Sequence, residues 1–209
     1  MEPGHEWRII DQERARLDSL FTDLNADSWN TKSLCHNWSV QEVAAHLSAA
    51  SQTGSTAWLV NMARCGFNTD RHNQRLLEQF VGTSFDQTLA RYKEGISARK
   101  APLGSRMGLL GEVIVHGQDI ARALGRKFNP APEAVLLVAE FFSSKDFAVN
   151  SKSMIKSISI VADDQDFTAG CGPAVHGELL DLVMAMAGRK QSLQSLSGPG
   201  LSKLTAAMA

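Results

Sequence analysis

Apolar residues recur every three or four positions through most of residues 6–124, and that periodicity commits the stretch to packed amphipathic helices. Residues 6–26 place Trp7, Ile10, Leu17, Leu20, Phe21 and Leu24 on one stripe. A second helix starts sharply at Ser39, where Ser-Val-Gln-Glu is a capping box with Glu42 at its third helical position. It is expected to continue to Gly66, a suitable C-cap. FNTDRHN (67–73) reads as a polar loop. A third helical pattern runs from about Arg75 and restarts at Ser84, where SFDQ is another capping box. The fourth spans about Met107 to Leu124 and stops at Gly125, with Arg126 and Lys127 placed favourably beside its C-terminus. Four long helices with short or moderate links predict a helical bundle.

The remainder of the chain differs in texture. NPAPEA gives a turn and opens a short helix over about Pro132 to Phe142, after which MIKSISIVADD alternates with period two, the pattern of a strand. DFTAGCGP supplies turn residues, HGELLDLVMAMAG is helical, and SGPG precedes a short closing helix, LSKLTAAMA. The expected fold is mainly α: a helical bundle over residues 1–150 followed by a small α+β module over 151–209.

Composition excludes several classes. Lys+Arg 21 against Asp+Glu 22 leaves a net charge of -1, without the basic excess that nucleic-acid binding requires. No apolar run approaches the ~18 residues of a membrane helix; Glu140 interrupts the best candidate, VLLVAEFF. The first residues lack the basic-then-apolar pattern of a signal peptide. A cytoplasmic protein that uses neither membrane nor nucleic acid is expected. Cys35, Cys65 and Cys171 lie far apart with no CxxC pair, so a metal would fall to histidine and carboxylate.

GEVIVHGQDIARALG is the informative segment. Glu112 and His116 are four residues apart on a helix and therefore share a face. His46, among Val43, Leu47 and Ala50 on the second helix, is the best third ligand. Two histidines and one carboxylate leave coordination positions open, the catalytic pattern rather than the structural one. Zinc, nickel and iron(II) all suit that set. An E-x-x-x-H pair and a histidine in an apolar stripe equally fit hydrogen-bonded core residues, so spacing alone leaves both readings open. His5, His36 and His72 stand in terminal, turn or polar contexts and read as solvated; His176, after a Gly-Pro turn, reads as a cap or as exposed.

WNTKSLCHNWSVQEVAAHL followed by GEVIVHGQDIARALG resembles the metal-binding domain of mycothiol-dependent maleylpyruvate isomerases, within the DinB-like four-helix superfamily. The shared pattern uses Trp29, Thr31, Cys35, Trp38, His46, Glu112, His116, Asp119 and Arg122. Gly170-Cys171-Gly172-Pro173, Gly188-Arg189 and Leu196-Ser197-Gly198-Pro199-Gly200 resemble that family's C-terminal domain. The resemblance implies a divalent metal, zinc, on His46, Glu112 and His116, with mycothiol as thiol cosubstrate. It gives Arg189 a role toward substrate or thiol, against an alternative as a helix C-terminal cation. The implied activity is isomerase or S-transferase chemistry on a small electrophilic substrate. A metal-dependent hydrolase or amidase, and a non-catalytic metal-binding stress protein, are the alternatives. Asp119 and Arg122 read as a pair on the helix surface, with support of the metal site as the lesser role. Cys35 reads as a buried structural thiol, and Trp29, Trp38 and Trp58 as core or pocket walls.

Overall fold

Ser39 opens its helix as the spacing predicts: Glu42 N–H donates to Ser39 Oγ at 3.3 Å, and Ser39 N–H donates to Glu42 Oε2 at 2.7 Å. The structure, a computed structural model, describes residues 4–35, 38–147 and 149–208. The chain forms two compact units, residues 1–130 and 131–209.

The first unit contains α1 (His5–Thr22), α2 (Ala26–Asn30), α3 (Val40–Gln52), α4 (Ser55–Arg64), α5 (Thr69–Phe80), α6 (Phe85–Gly95) and α7 (Arg106–Ala123). Helix α1 packs on α6 and α7, and α3 packs on the same two, which closes a four-helix ring. Helices α4 and α5 are inserted between α3 and α6, with α5 lying against α3.

The inserted pair corrects two expectations. The second helix does not run to Gly66, because Thr53 turns extended at φ -90 and ψ 117, and Gly54 begins α4. The SAASQTGST segment is rich in Ser, Thr and Gly, and Ser48 Oγ and Ser51 Oγ donate to the carbonyls of Ala44 and Ser48, which competes with regular helix continuation. The polar stretch 67–73 is mostly helix: Asn68 Oδ1 accepts from Arg71 N–H at 2.9 Å and starts α5 six residues before Arg75. At Ser84 only half of the expected box forms. Ser84 Oγ accepts from Gln87 N–H, while Gln87 Oε1 accepts from Thr83 N–H at 2.7 Å.

Phe21 anchors the core, stacked on Trp29 at 5.3 Å and meeting Tyr92 edge-on at 4.9 Å. Tyr92 O–H donates to Arg14 O, and the buried Arg14 guanidinium donates to the carbonyls of Gly95, Ile96 and Ala98. A buried cation is thereby satisfied at the end of α6. Helix α7 stops where expected: Gly125 adopts φ +61, and Arg126 N–H returns to Ala121 O at 2.8 Å.

The second unit holds α8 (Pro132–Ser144), α9 (Ser151–Met154), strands β1 (Ser159–Ala162), β2 (Thr168–Gly170) and β3 (Ala174–Gly177), then α10 (Leu179–Met186) and α11 (Leu201–Ala207). Strand β1 is central, antiparallel to β2 and parallel to β3. Thr168–Gly170 and Ala174–Gly177 are strands where turn and helix residues are expected, because their backbones complete the ladder of β1. Helix α8 packs on α9, α10 and β2, so it groups with this unit although it precedes the boundary at residue 150 read from the sequence. No helix among the described residues is long and apolar enough to cross a membrane.

Gly117 sits where α7 meets the Phe128 ring, and a Cβ there would collide with it. Gly117→Ala is expected to cost about 1–3 kcal/mol, the usual range for overpacking a core, measured by urea denaturation.

Candidate metal centre

Helix α3 presents His46 from a buried face that includes Val43, Ala44 and Leu47, and α7 presents Glu112 and His116 one turn apart. All three meet. Glu112 Oε2 lies 2.8 Å from His46 Nε2 and 3.0 Å from His116 Nε2, and the two imidazoles stand edge-on with centroids 5.0 Å apart. One donor atom from each falls within 4.8 Å of the others, an arrangement able to hold a divalent ion. The histidine side chains are 11% and 9% exposed, while Glu112 keeps 27%, so solvent reaches the cluster on the carboxylate side.

His116 is held from behind. Its Nδ1 faces Asp119 Oδ2 at 3.0 Å, and Asp119 is fully buried. Asp119 is therefore not on the helix surface: it fixes the imidazole and leaves Nε2 directed at the cluster, the usual support for a metal-ligating histidine. Arg122 donates through Nε to Gln118 Oε1 at 3.0 Å. The i, i+3 spacing of His116 and Asp119 was the signal available for this contact.

Cys35 completes the backing. It is buried, and Cys35, His116 and Asp119 form a second group able to hold an ion. The loop ahead of α3 sets its position: Leu34 N–H donates to Asp119 O, Cys35 N–H to Ser33 Oγ, and Ser33 N–H to Trp38 O. The Trp-Thr-Cys-Trp motif thus has a physical reading. Trp29 enters the core, Thr31 Oγ1 donates to Asp27 O, Cys35 backs His116, and the Trp38 ring lies 5.1 Å from that of His46.

Burial works against charge on Glu112, but hydrogen bonds from His116 and His46 outweigh it and hold the carboxyl well below its ordinary value. For His116, burial likewise opposes protonation; hydrogen bonds with Asp119, Cys35 and Glu112 prevail and raise it well above the usual imidazole value. The residues fit a divalent ion: two imidazoles aim Nε2 at one carboxylate oxygen, and a buried acid orients one ring.

Other histidines divide. His72 is buried, contrary to expectation: its Nδ1 faces Asn61 Nδ2 at 2.9 Å, and the Trp58 ring meets it edge-on. Burial, then the nearby His46, lowers its pKa. His176 stays half-exposed, with Nδ1 3.3 Å from Asp163 Oδ1. His5 faces Arg8, and His36 lies outside the described residues. Arg189 belongs to the second unit, where its Nη1 donates to Ala187 O at 2.7 Å.

In the metal-free chain, the raised His116 pKa stabilises the fold fully below about pH 6.5, and that contribution is lost as pH rises through the folded value. The lowered Glu112 pKa stabilises above about pH 4.5, and its contribution is lost as pH falls through the folded value. With a chelator present, Tm is expected to peak between these limits and fall on the alkaline side, and Asp119→Asn is expected to flatten the alkaline arm.

Residues 10–74 match the family described as mycothiol maleylpyruvate isomerase N-terminal domain, a stretch that includes His46 and ends before α7. Two crystal structures of mycothiol-dependent maleylpyruvate isomerase, one of them a histidine-to-alanine mutant, share the fold. Their TM-scores are 0.67 and 0.66 at 13% and 11% identity, over 95% of this chain and 93% of theirs. A search of curated proteins gives no match.

Proposed function

We propose that this chain, whose residues 10–74 match the mycothiol maleylpyruvate isomerase N-terminal domain family, is a metal- and thiol-dependent enzyme acting on a small electrophile, as isomerase or S-transferase. The observation that carries the reading is the convergence of His46 Nε2 and His116 Nε2 on Glu112 Oε2 inside that bundle. A divalent ion held by these three residues, zinc in this reading, would lower the pKa of a thiol beside it.

The chain's own residues supply the rest. Asp119 holds the His116 tautomer through Nδ1, so the ring need not reorganise when its Nε2 proton is displaced. Trp38, beside His46, provides an apolar wall against which a thiol or substrate can lie. Arg189 is assigned a substrate carboxylate, for which its planar fork is suited. Mycothiol is the assigned thiol, and a small-molecule electrophile the assigned partner. A hydrolase would need a general base beside the ion; Asp119 is fully buried and committed to His116, which favours thiol chemistry.

Metal analysis of the purified protein tests the reading. About one ion per chain is expected, lost in His46→Ala and His116→Ala, with affinity down about 10–100-fold in Asp119→Asn. Mycothiol added to the Co(II) form is expected to produce a thiolate-to-cobalt absorption band. A chain that binds no metal, or a Co(II) spectrum unmoved by the thiol, contradicts the proposal.

A further inference from the structure

We propose that the cleft bordered by α4 and α5 is a carboxylate-binding subsite, seating the charged end of a small anionic molecule next to the His46–Glu112–His116 cluster. The inference that this molecule is a substrate rests on the function proposed above; the binding itself does not.

The cleft is open to solvent and has a volume of about 590 Å³, enough for a small molecule. Three exposed arginines line it. Arg64 comes from the last turn of α4, and Arg71 and Arg75 lie four residues apart on α5 and so share a face. None of the three side chains has a hydrogen bond, ion pair or ring contact among the described residues. Every other arginine described in the first unit has a carboxylate, imidazole, amide or carbonyl partner. The unpartnered guanidinium groups are thus concentrated on one concavity.

Asp70 and Glu78 stand on the same walls and bring the lining charge to about one net positive. Arginines on two helices suit carboxylates spaced along one molecule, each paired with a planar guanidinium fork, better than a phosphate whose charge sits on a single centre. Trp38 forms another wall, and its ring is the one 5.1 Å from His46. An acid gripped by Arg71 and Arg75 can therefore lay its apolar stem along Trp38 toward the cluster. The buried His72 and Leu77 pin α5 and hold the arginines in register.

The test uses tryptophan fluorescence of the full chain, metal-loaded and metal-free, titrated with succinate, dimethyl succinate and inorganic phosphate. Succinate is expected to quench saturably in both forms, the ester not at all, and phosphate more weakly than succinate. The signal is expected to vanish in Trp38→Phe. The double variant Arg71→Gln/Arg75→Gln is expected to weaken succinate about 10-fold or more, as two charge-assisted pairs are lost. Arg75→Lys, which keeps the charge without the fork, is expected to fall between. Metal content read in the same samples should match the parent. Succinate binding unaffected by the double variant, equal quenching by the ester, tighter binding of phosphate, or no quenching in either form overturns the subsite. Quenching that persists in the metal-free chain upholds it even where the metal reading fails.

Discussion

A single carboxylate oxygen on α7 receives two imidazoles, one from α3 and one from its own helix, and the arrangement of the bundle unit can be traced outward from that contact. Burying a carboxylate is costly unless charge-assisted partners surround it. Glu112 meets that condition only while α3 and α7 hold their register, so the contact depends on the ring of helices that encloses it. His116 passes the constraint inward to Asp119, whose backbone carbonyl in turn receives Leu34 N–H from the loop ahead of α3. Helix, loop and helix are therefore tied through one imidazole, whose two nitrogens face opposite ways.

This arrangement separates structural from chemical duties. Cys35 and Asp119 lie on the buried side of His116, and Glu112 retains exposure on the other. Trp29 stacks between Phe21 and Phe85 in the core, whereas Trp38, nine residues on, borders both the cluster and the arginine-lined cleft. A short motif thereby spans the path from packing to chemistry. The inserted helices α4 and α5 supply most of the cleft wall, and they interrupt what is otherwise a regular four-helix ring.

Much of this was legible in the residues, for identifiable reasons. The capping box at Ser39 and the glycine stop at Gly125 are local signals whose geometry does not depend on distant partners. Glu112 and His116 share a face by helical periodicity, and His46 stands in the apolar stripe of a second helix; the bundle brings the stripes together. What escaped the reading depended on tertiary context. The break at Thr53–Gly54 and the early start of α5 fall in polar segments whose helical state is decided by packing on α3. Asp119 reads as a surface charge on the helix alone, because its burial follows from tertiary contacts such as Leu34 N–H donating to its carbonyl. On α5 the buried His72 lies beside exposed residues of the arginine cleft, a division that a composition of mostly polar residues conceals.

The central claim is that His46, Glu112 and His116 together are the metal site. His116 also belongs to the competing group with Cys35 and Asp119, so a decisive measurement must locate the ion rather than count it. Anomalous X-ray scattering from crystals of the metal-loaded protein does this. The account predicts one peak among His46 Nε2, His116 Nε2 and Glu112, with Asp119 still facing His116 Nδ1. A peak among Cys35, His116 and Asp119, or none near His116, would contradict it.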